Sequence, residues 1–250
     1  MLYNKGCLDM KKKLTVAAIL VGLCISLVGC GGVSKDCNEI NKVQKSLANL
    51  DSGHMTILSK VESANRNENM STDFTYRVND NGVMEYCQTQ MDKTNKLIFC
   101  EMSDGEKAEQ WLLGKGWGAI DATTYTKENP HQYLGLLTNK LDKKIIKDIK
   151  KEEQDSNTVY NVELDENKLN QTSYKDADME IVSQNISFSI NEKGELICYN
   201  DNAVIMDKAT QSESNYNLEV QLSEHNAVTE IQKPDLKVSA AVTPKADDGK

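Results

Sequence analysis

From about residue 55 to residue 222 the chain keeps returning to one pattern. Apolar and polar side chains alternate for a few residues, and a cluster of Asn, Asp, Gly or Lys then reverses the direction. Phe74, Tyr76 and Val78 alternate in this way, as do Ile186, Phe188 and Ile190, and the run Tyr216, Leu218, Val220 and Leu222. A two-residue period places every second side chain on one face of a strand, so each such run predicts a strand with one buried face. The intervening Asn79-Asp80-Asn81-Gly82, Asp92-Lys93-Thr94-Asn95, Asp104-Gly105-Glu106 and Asn191-Glu192-Lys193-Gly194 are of hairpin length. Their residues tolerate the positive φ that tight turns require. Short links of this kind join antiparallel neighbours, because a parallel crossover needs a dozen residues or more.

The strands expected are Met55 to Val61, Phe74 to Val78 beyond a polar loop, Val83 to Met91, Leu97 to Ser103, Gln110 to Leu113 and Gly116 to Ile120. A second group runs from Thr158 to Leu164 and onward from Met179, ending at Leu222 with Val228, Ile231 and a closing Pro234 behind it. Two helices interrupt the strands. Asp36 stands three residues before Glu39 in capping-box spacing, and Ile40, Val43, Leu47 and Leu50 follow at helical intervals until Asp51-Ser52-Gly53. Asn129-Pro130 reads as a cap with proline at the first helical position, followed by Tyr133, Leu134, Leu137 and Leu141 on one face. Ile145, Ile146 and Ile149 fit either a continuation of that helix or a strand; a strand is preferred because it would pair with Thr158–Leu164 across Asp155-Ser156-Asn157. Two helices and roughly ten short antiparallel strands define an α+β protein, and a sheet that wide must curl.

The N-terminus carries a different signal. Lys11, Lys12 and Lys13 precede an apolar run from Leu14 to Val28, as in an export signal. The run is short of the about 20 apolar residues that a spanning helix needs. It ends in Leu27-Val28-Gly29-Cys30, which resembles the lipobox of bacterial lipoproteins. The resemblance implies that Cys30 receives diacylglycerol and that cleavage follows Gly29, leaving Cys30 as the first mature residue and lipid anchor. Two acyl chains hold firmly where one is marginal, at roughly 0.8 kcal/mol per buried CH₂. Met10 is a second candidate start, because Tyr3, Cys7 and Asp9 are unlike the basic leader of a signal.

Losing residues 1–29 removes four lysines and one aspartate, so the formal charge falls from −9 to −12. An acidic body argues against a nucleic-acid partner and against docking on anionic lipid through surface charge. Attachment to the extracytoplasmic face of a cell membrane would then rest on the anchor at Cys30. The expected organisation is a signal peptide over 1–29, a flexible tether over 30–35, one β-rich domain over 36–236 and a tail over 237–250, with the protein a monomer.

No chemistry-bearing constellation stands out, and no cofactor or metal is expected. His54, His131 and His225 are far apart and read as surface or strand-end residues, and no nucleophile elbow or phosphate-cradling loop occurs. Gly114, Gly116 and Gly118 flank Trp117 and read either as a bend or as a place where a ligand or helix approaches the sheet. Trp111 and Trp117 would fill core or line a lipid-holding groove. Cys37, Cys87, Cys100 and Cys198 lack metal spacing. If the Asp92–Asn95 turn is symmetric, Cys87 faces Cys100. A disulfide and two half-buried thiols are then both open, with the thiols favoured.

A lipobox, a first helix, long meandering strands, a helix near Pro130 and a last strand running into Val228–Pro234 together resemble the lipoprotein-carrier superfamily. That group includes LolA and mycobacterial lipid-binding lipoproteins such as LppX. The resemblance implies a strongly curved antiparallel half-barrel with helices in or across its concave face, and a non-enzymatic module for a hydrophobic or amphiphilic ligand. The alternative is an envelope interaction or structural lipoprotein with a filled core and no ligand. No ligand-contacting residue is carried over.

Overall fold

The computed structural model describes residues 35–172 and 177–236. The signal segment, Leu27, Val28, Gly29, the anchor Cys30, the tether up to residue 34 and the tail from residue 237 lie outside the described residues. The body is one open antiparallel sheet of eleven strands, in the order β6-β5-β4-β3-β2-β1-β11-β10-β9-β8-β7. The strands are β1 Ser52–Ser63, β2 Arg66–Val78, β3 Met84–Asp92, β4 Leu97–Ser103, β5 Ala108–Leu112, β6 Gly116–Ile120, β7 Ile146–Gln154, β8 Asn157–Leu164, β9 Met179–Ile190, β10 Leu196–Asp207 and β11 Ser212–Ser223. Two meanders, β1 to β6 and β7 to β11, join where β1 pairs with β11 in unbroken register from His54↔Ser223 to Ser63↔Ser214. Helices α1 Lys35–Leu47, α2 Gln132–Thr138 and α3 Glu166–Thr172 pack on the concave face, with a 3₁₀ turn at Lys143–Ile145. The fold is therefore the α+β curved sheet that alternation predicts.

The alternating side chains divide between the faces. Met55, Phe74, Tyr86, Tyr160, Phe188, Tyr199 and Val220 turn inward into one continuous buried cluster with Ile40, Leu47, Leu134 and Leu137 of the helices. Outward lie Asp73, Arg77, Glu85, Asn200 and Glu219, which make lateral polar pairs or meet solvent.

Several expectations need correction. The polar loop before Phe74 is the distal half of a long hairpin: β1 and β2 pair all the way to Ser63↔Arg66. Toward the tip both faces stay at least partly accessible, so exposure alternates only weakly and little apolar alternation is needed there. The residue capping α2 is His131, whose Nδ1 accepts from the Tyr133 amide, so Asn129 and Pro130 lie upstream. Helix α3 was not anticipated; Asp165 accepts from the Lys168 amide at its start. The β7–β8 turn consists of Asp155 and Ser156 alone, both at positive φ (46° and 69°), which is the backbone of a two-residue hairpin. After Ser223 the chain leaves the sheet, and residues 224–236 cross the outer face as irregular backbone.

Candidate functional site

The concave face offers the deepest environment, and α1 closes it. The helix buries Cys37, Ile40, Gln44 and Leu47 in one stripe, and polar contacts position it. Asn41 reads both backbone groups of Leu141: its Nδ2 donates to the carbonyl at 3.2 Å and its Oδ1 accepts from the amide at 2.7 Å. Gln44 Nε2 donates to the Asn139 carbonyl at 2.7 Å. Glu39 accepts from the Tyr160 hydroxyl and lies 3.2 Å from Lys151 Nζ. Those two bonds, Tyr160 first, hold its carboxyl below the usual range.

At the C-terminal end of α1 a small crevice of about 20 Å³, room for a group the size of a water molecule and partly open to solvent, lies against β2, β3 and α2. Leu47, Leu50, Tyr76, Val78, Met84 and Leu134 give it an apolar lining, and Lys127 also borders it. Lys127 Nζ bonds Asp51 Oδ1 at 2.5 Å and the Asn49 carbonyl at 3.2 Å. Tyr76 enters this lining because Gly53 has no side chain: a Cβ there would stand 3.1 Å from the ring. Burial pushes the Tyr76 hydroxyl well above its ordinary range.

Polar groups are set into this interior. His131 lies among the rings of Phe74 (4.6 Å), Tyr125 (4.9 Å), Tyr133 (5.0 Å) and Tyr86 (5.1 Å). Burial drives its pKa down to about 3, so the imidazole is neutral. It is a core residue, against the surface position expected. Asp201 is 3% exposed, accepts from Gln184 Nε2 at 2.9 and 3.0 Å and from the Tyr199 hydroxyl at 3.4 Å, and is raised to about 6 by desolvation. Gln44 Oε1 and Gln88 Oε1 are buried acceptors without a hydrogen-bond partner among the described residues.

The residues singled out in the sequence lie elsewhere. Trp111 and Trp117 are paired across β5 and β6 and share the face of Cys100, which is the outer one, so neither lines the concavity. Lys233 stands over the Trp117 ring at 4.4 Å and bonds Glu109. Gly118 has nothing within 4 Å of its would-be Cβ, so no helix among the described residues packs there, while Gly114 and Gly116 take positive φ around the β5–β6 turn. Cys87 and Cys100 do not face one another. Cys87 is opposite Met102 and Cys100 opposite Thr89, because the turn closes as Asp92 to Lys96 and a bulge follows at Gln90/Met91. They are diagonal neighbours with sulfurs 4.0 Å apart, both free.

One outer-face row has the residue types of a hydrolytic triad: Ser223 Oγ is 3.3 Å from His54 Nδ1, and Asp73 Oδ1 is 3.7 Å from His54 Nε2. The row lies flat across three paired strands, so nearby amides belong to the ladder and no convergent donors await an oxyanion. Asp73 is also bonded by Thr56. Among the described residues no three His, Cys, Asp or Glu side chains converge as a metal site, and no helix is long and apolar enough to cross a membrane. Asn41 and Lys127 escaped sequence reasoning. Gln44 left a trace, as the polar member of the stripe Cys37, Ile40, Gln44, Leu47.

No protein-family model and no curated protein matches the sequence. Solved structures do. Lipoprotein LppX of Mycobacterium tuberculosis aligns at a TM-score of 0.45 and 11% identity, over 80% of this chain and 100% of that one. LprF from Mycobacterium bovis aligns at 0.44 and 13%, over 82% and 99%. A LolA superfamily protein from Nitrosomonas europaea aligns at 0.27 and 9%, over 76% and 94%.

Proposed function

We propose that this chain is a lipid-anchored envelope protein, tethered through Cys30, whose body is a non-enzymatic binding module for a hydrophobic or amphiphilic ligand taken up between α1 and the inner sheet face. The observation that carries the reading is the apolar crevice at the end of α1, continuous with the buried cluster beneath the helix. Burying an apolar side chain contributes about 1.5–3 kcal/mol, so the apolar face of α1 holds most of its docking energy. That energy is non-directional, and an alkyl chain entering under the helix replaces it. The Asn41 and Gln44 bonds are lost in exchange for water at about 0.5–1.5 kcal/mol each. Helix displacement by an apolar ligand is therefore nearly balanced, whereas displacement by water alone is not. Unmatched acceptors at Gln44 and Gln88 favour an amphiphile with hydrogen-bond donors over a plain hydrocarbon.

The test is organic extraction of the purified soluble body, lacking Cys30, followed by mass spectrometry, together with titration of an environment-sensitive apolar dye. A co-purifying lipid, or dye binding that such a lipid displaces, supports the reading; a clean extract with no dye uptake sinks it. A filled-core interaction lipoprotein is the second reading. It is favoured by inner-face residues such as Phe74, Met55 and Val220, which are all but fully buried among protein atoms. In-cell crosslinking to one reproducible envelope neighbour, with no bound lipid, would select it.

A further inference from the structure

We propose that Cys87 and Cys100 are a site of reversible oxidation, closing a cross-strand disulfide when the exported protein meets an envelope disulfide oxidant. The observation is geometric. The two sulfurs are 4.0 Å apart on the outer face of adjacent strands, and each thiol is the other's hydrogen-bond partner. Their access is unequal: Cys87 is half-buried, while Cys100 is completely buried on the face crossed by Lys233. Accepting the bond from Cys100 lowers the pKa of Cys87, and the same bond, with burial, raises that of Cys100. The half-buried sulfur is thus the nucleophile and the fully buried one the resolving thiol.

The chemistry is two thiol–disulfide exchanges. Cys87 thiolate attacks one sulfur of the oxidant's disulfide, breaking that bond, forming a mixed disulfide and releasing a thiolate. Cys100 then gives its proton to a leaving thiolate and attacks Cys87 Sγ, forming the internal bond and expelling the second half of the oxidant. Two protein thiols become one disulfide, and one oxidant disulfide becomes two thiols. Diagonal neighbours have Cα atoms about 7–8 Å apart, beyond the about 4.4–6.8 Å usual for a bridge, so the strands must draw together. The bulge at Gln90/Met91, three residues from Cys87, is where the ladder is already irregular and can yield. A bridge closed against the ladder is readily reduced, so it serves as a reversible modification and not a permanent staple.

The full chain, isolated from membranes under reducing conditions, is treated with oxidised glutathione, alkylated, unfolded and mapped by peptide mass. The expected product is one linked peptide pair carrying Cys87 and Cys100, about 2 Da lighter than the two dithiol peptides together and separated by dithiothreitol. Cys37 and Cys198 remain alkylatable after unfolding. Cys100→Ser should stop at a glutathione adduct on Cys87, and Cys87→Ser should leave Cys100 unmodified while folded. Recovery of both thiols free after oxidation overturns the proposal. So does a link to Cys37 or Cys198, or a Cys87→Ser protein whose Cys100 reacts as fast as the wild-type pair.

Discussion

Asp201 shows how one residue marks the difference between a core and a site. Its carboxyl is buried on the inner face with the Gln184 amide and the Tyr199 hydroxyl as neutral partners, and desolvation outweighs their bonds, so its pKa rises from 3.8 to about 6. In that window the folded protein holds a proton that the unfolded chain has released. Stability therefore falls as pH rises from about 4 to about 6, and the cost is fully present at neutral pH. Asp201→Asn should remove this pH dependence and raise stability at pH 7 by on the order of 1–3 kcal/mol, read as urea midpoints across pH 4–7. A slope unchanged in the variant would mean that Asp201 does not carry it. Nothing in an alternating strand distinguishes this aspartate in advance. Asp201 occupies an inward position between Tyr199 and Ala203, and only the face of the completed sheet makes it buried.

Among the elements, α1 is the one on which both functional readings turn. Asn41→Ala removes the two bonds to Leu141 and leaves a partly buried amide unmatched, a loss of about 1–3 kcal/mol. Amides of residues 37–47 should then exchange faster, while those of β9 to β11 keep their protection. Dye uptake should rise in the same variant if the helix is the cover of a binding face; exchange without dye uptake fits the filled core. The strands of both meanders were readable because one face is buried and the other wet, so alternation survives in Tyr216 to Leu222 and in Phe188 and Ile190. Alternation failed at Glu62 to Asp73, where both faces of the hairpin tip are partly wet. It had nothing to say of α3, seven residues long, which is held by tertiary bonds: Asn170 takes both the amide and the carbonyl of Ile181 at 2.8 Å. The Cys87–Cys100 register was missed for a related reason. A turn closing one residue later, followed by a bulge, moves every pair while leaving each side chain on its face.

At the scale of the whole molecule, an open sheet has two faces and two free edges to protect, and each is handled differently. The concave face is covered by helices, and edge strand β7 carries Lys147, Asp148, Lys150, Lys151, Glu152 and Glu153, charges that discourage pairing with another sheet. The outer face near β3 to β6 is covered by residues 224–236. Asn226 and Val228 tie that segment to Asp51 and Ser52, Thr229 offers its carbonyl to Arg77, and Lys233 reaches Glu109 and Trp117. None of these bonds belongs to the strand ladder, so removing the segment should leave the sheet intact while uncovering what lies beneath. Ending the chain after Glu224 should shift tryptophan emission to the red, because Trp111, 4% exposed in the intact protein, meets water. It should also let a small thiol reagent modify Cys100 in the folded state, at a rate approaching that of Cys87. Far-ultraviolet circular dichroism should be unchanged apart from the missing residues. If Cys100 stays protected after truncation, its burial comes from Trp117 and the neighbouring strands alone, and the segment merely lies across a face that is already closed.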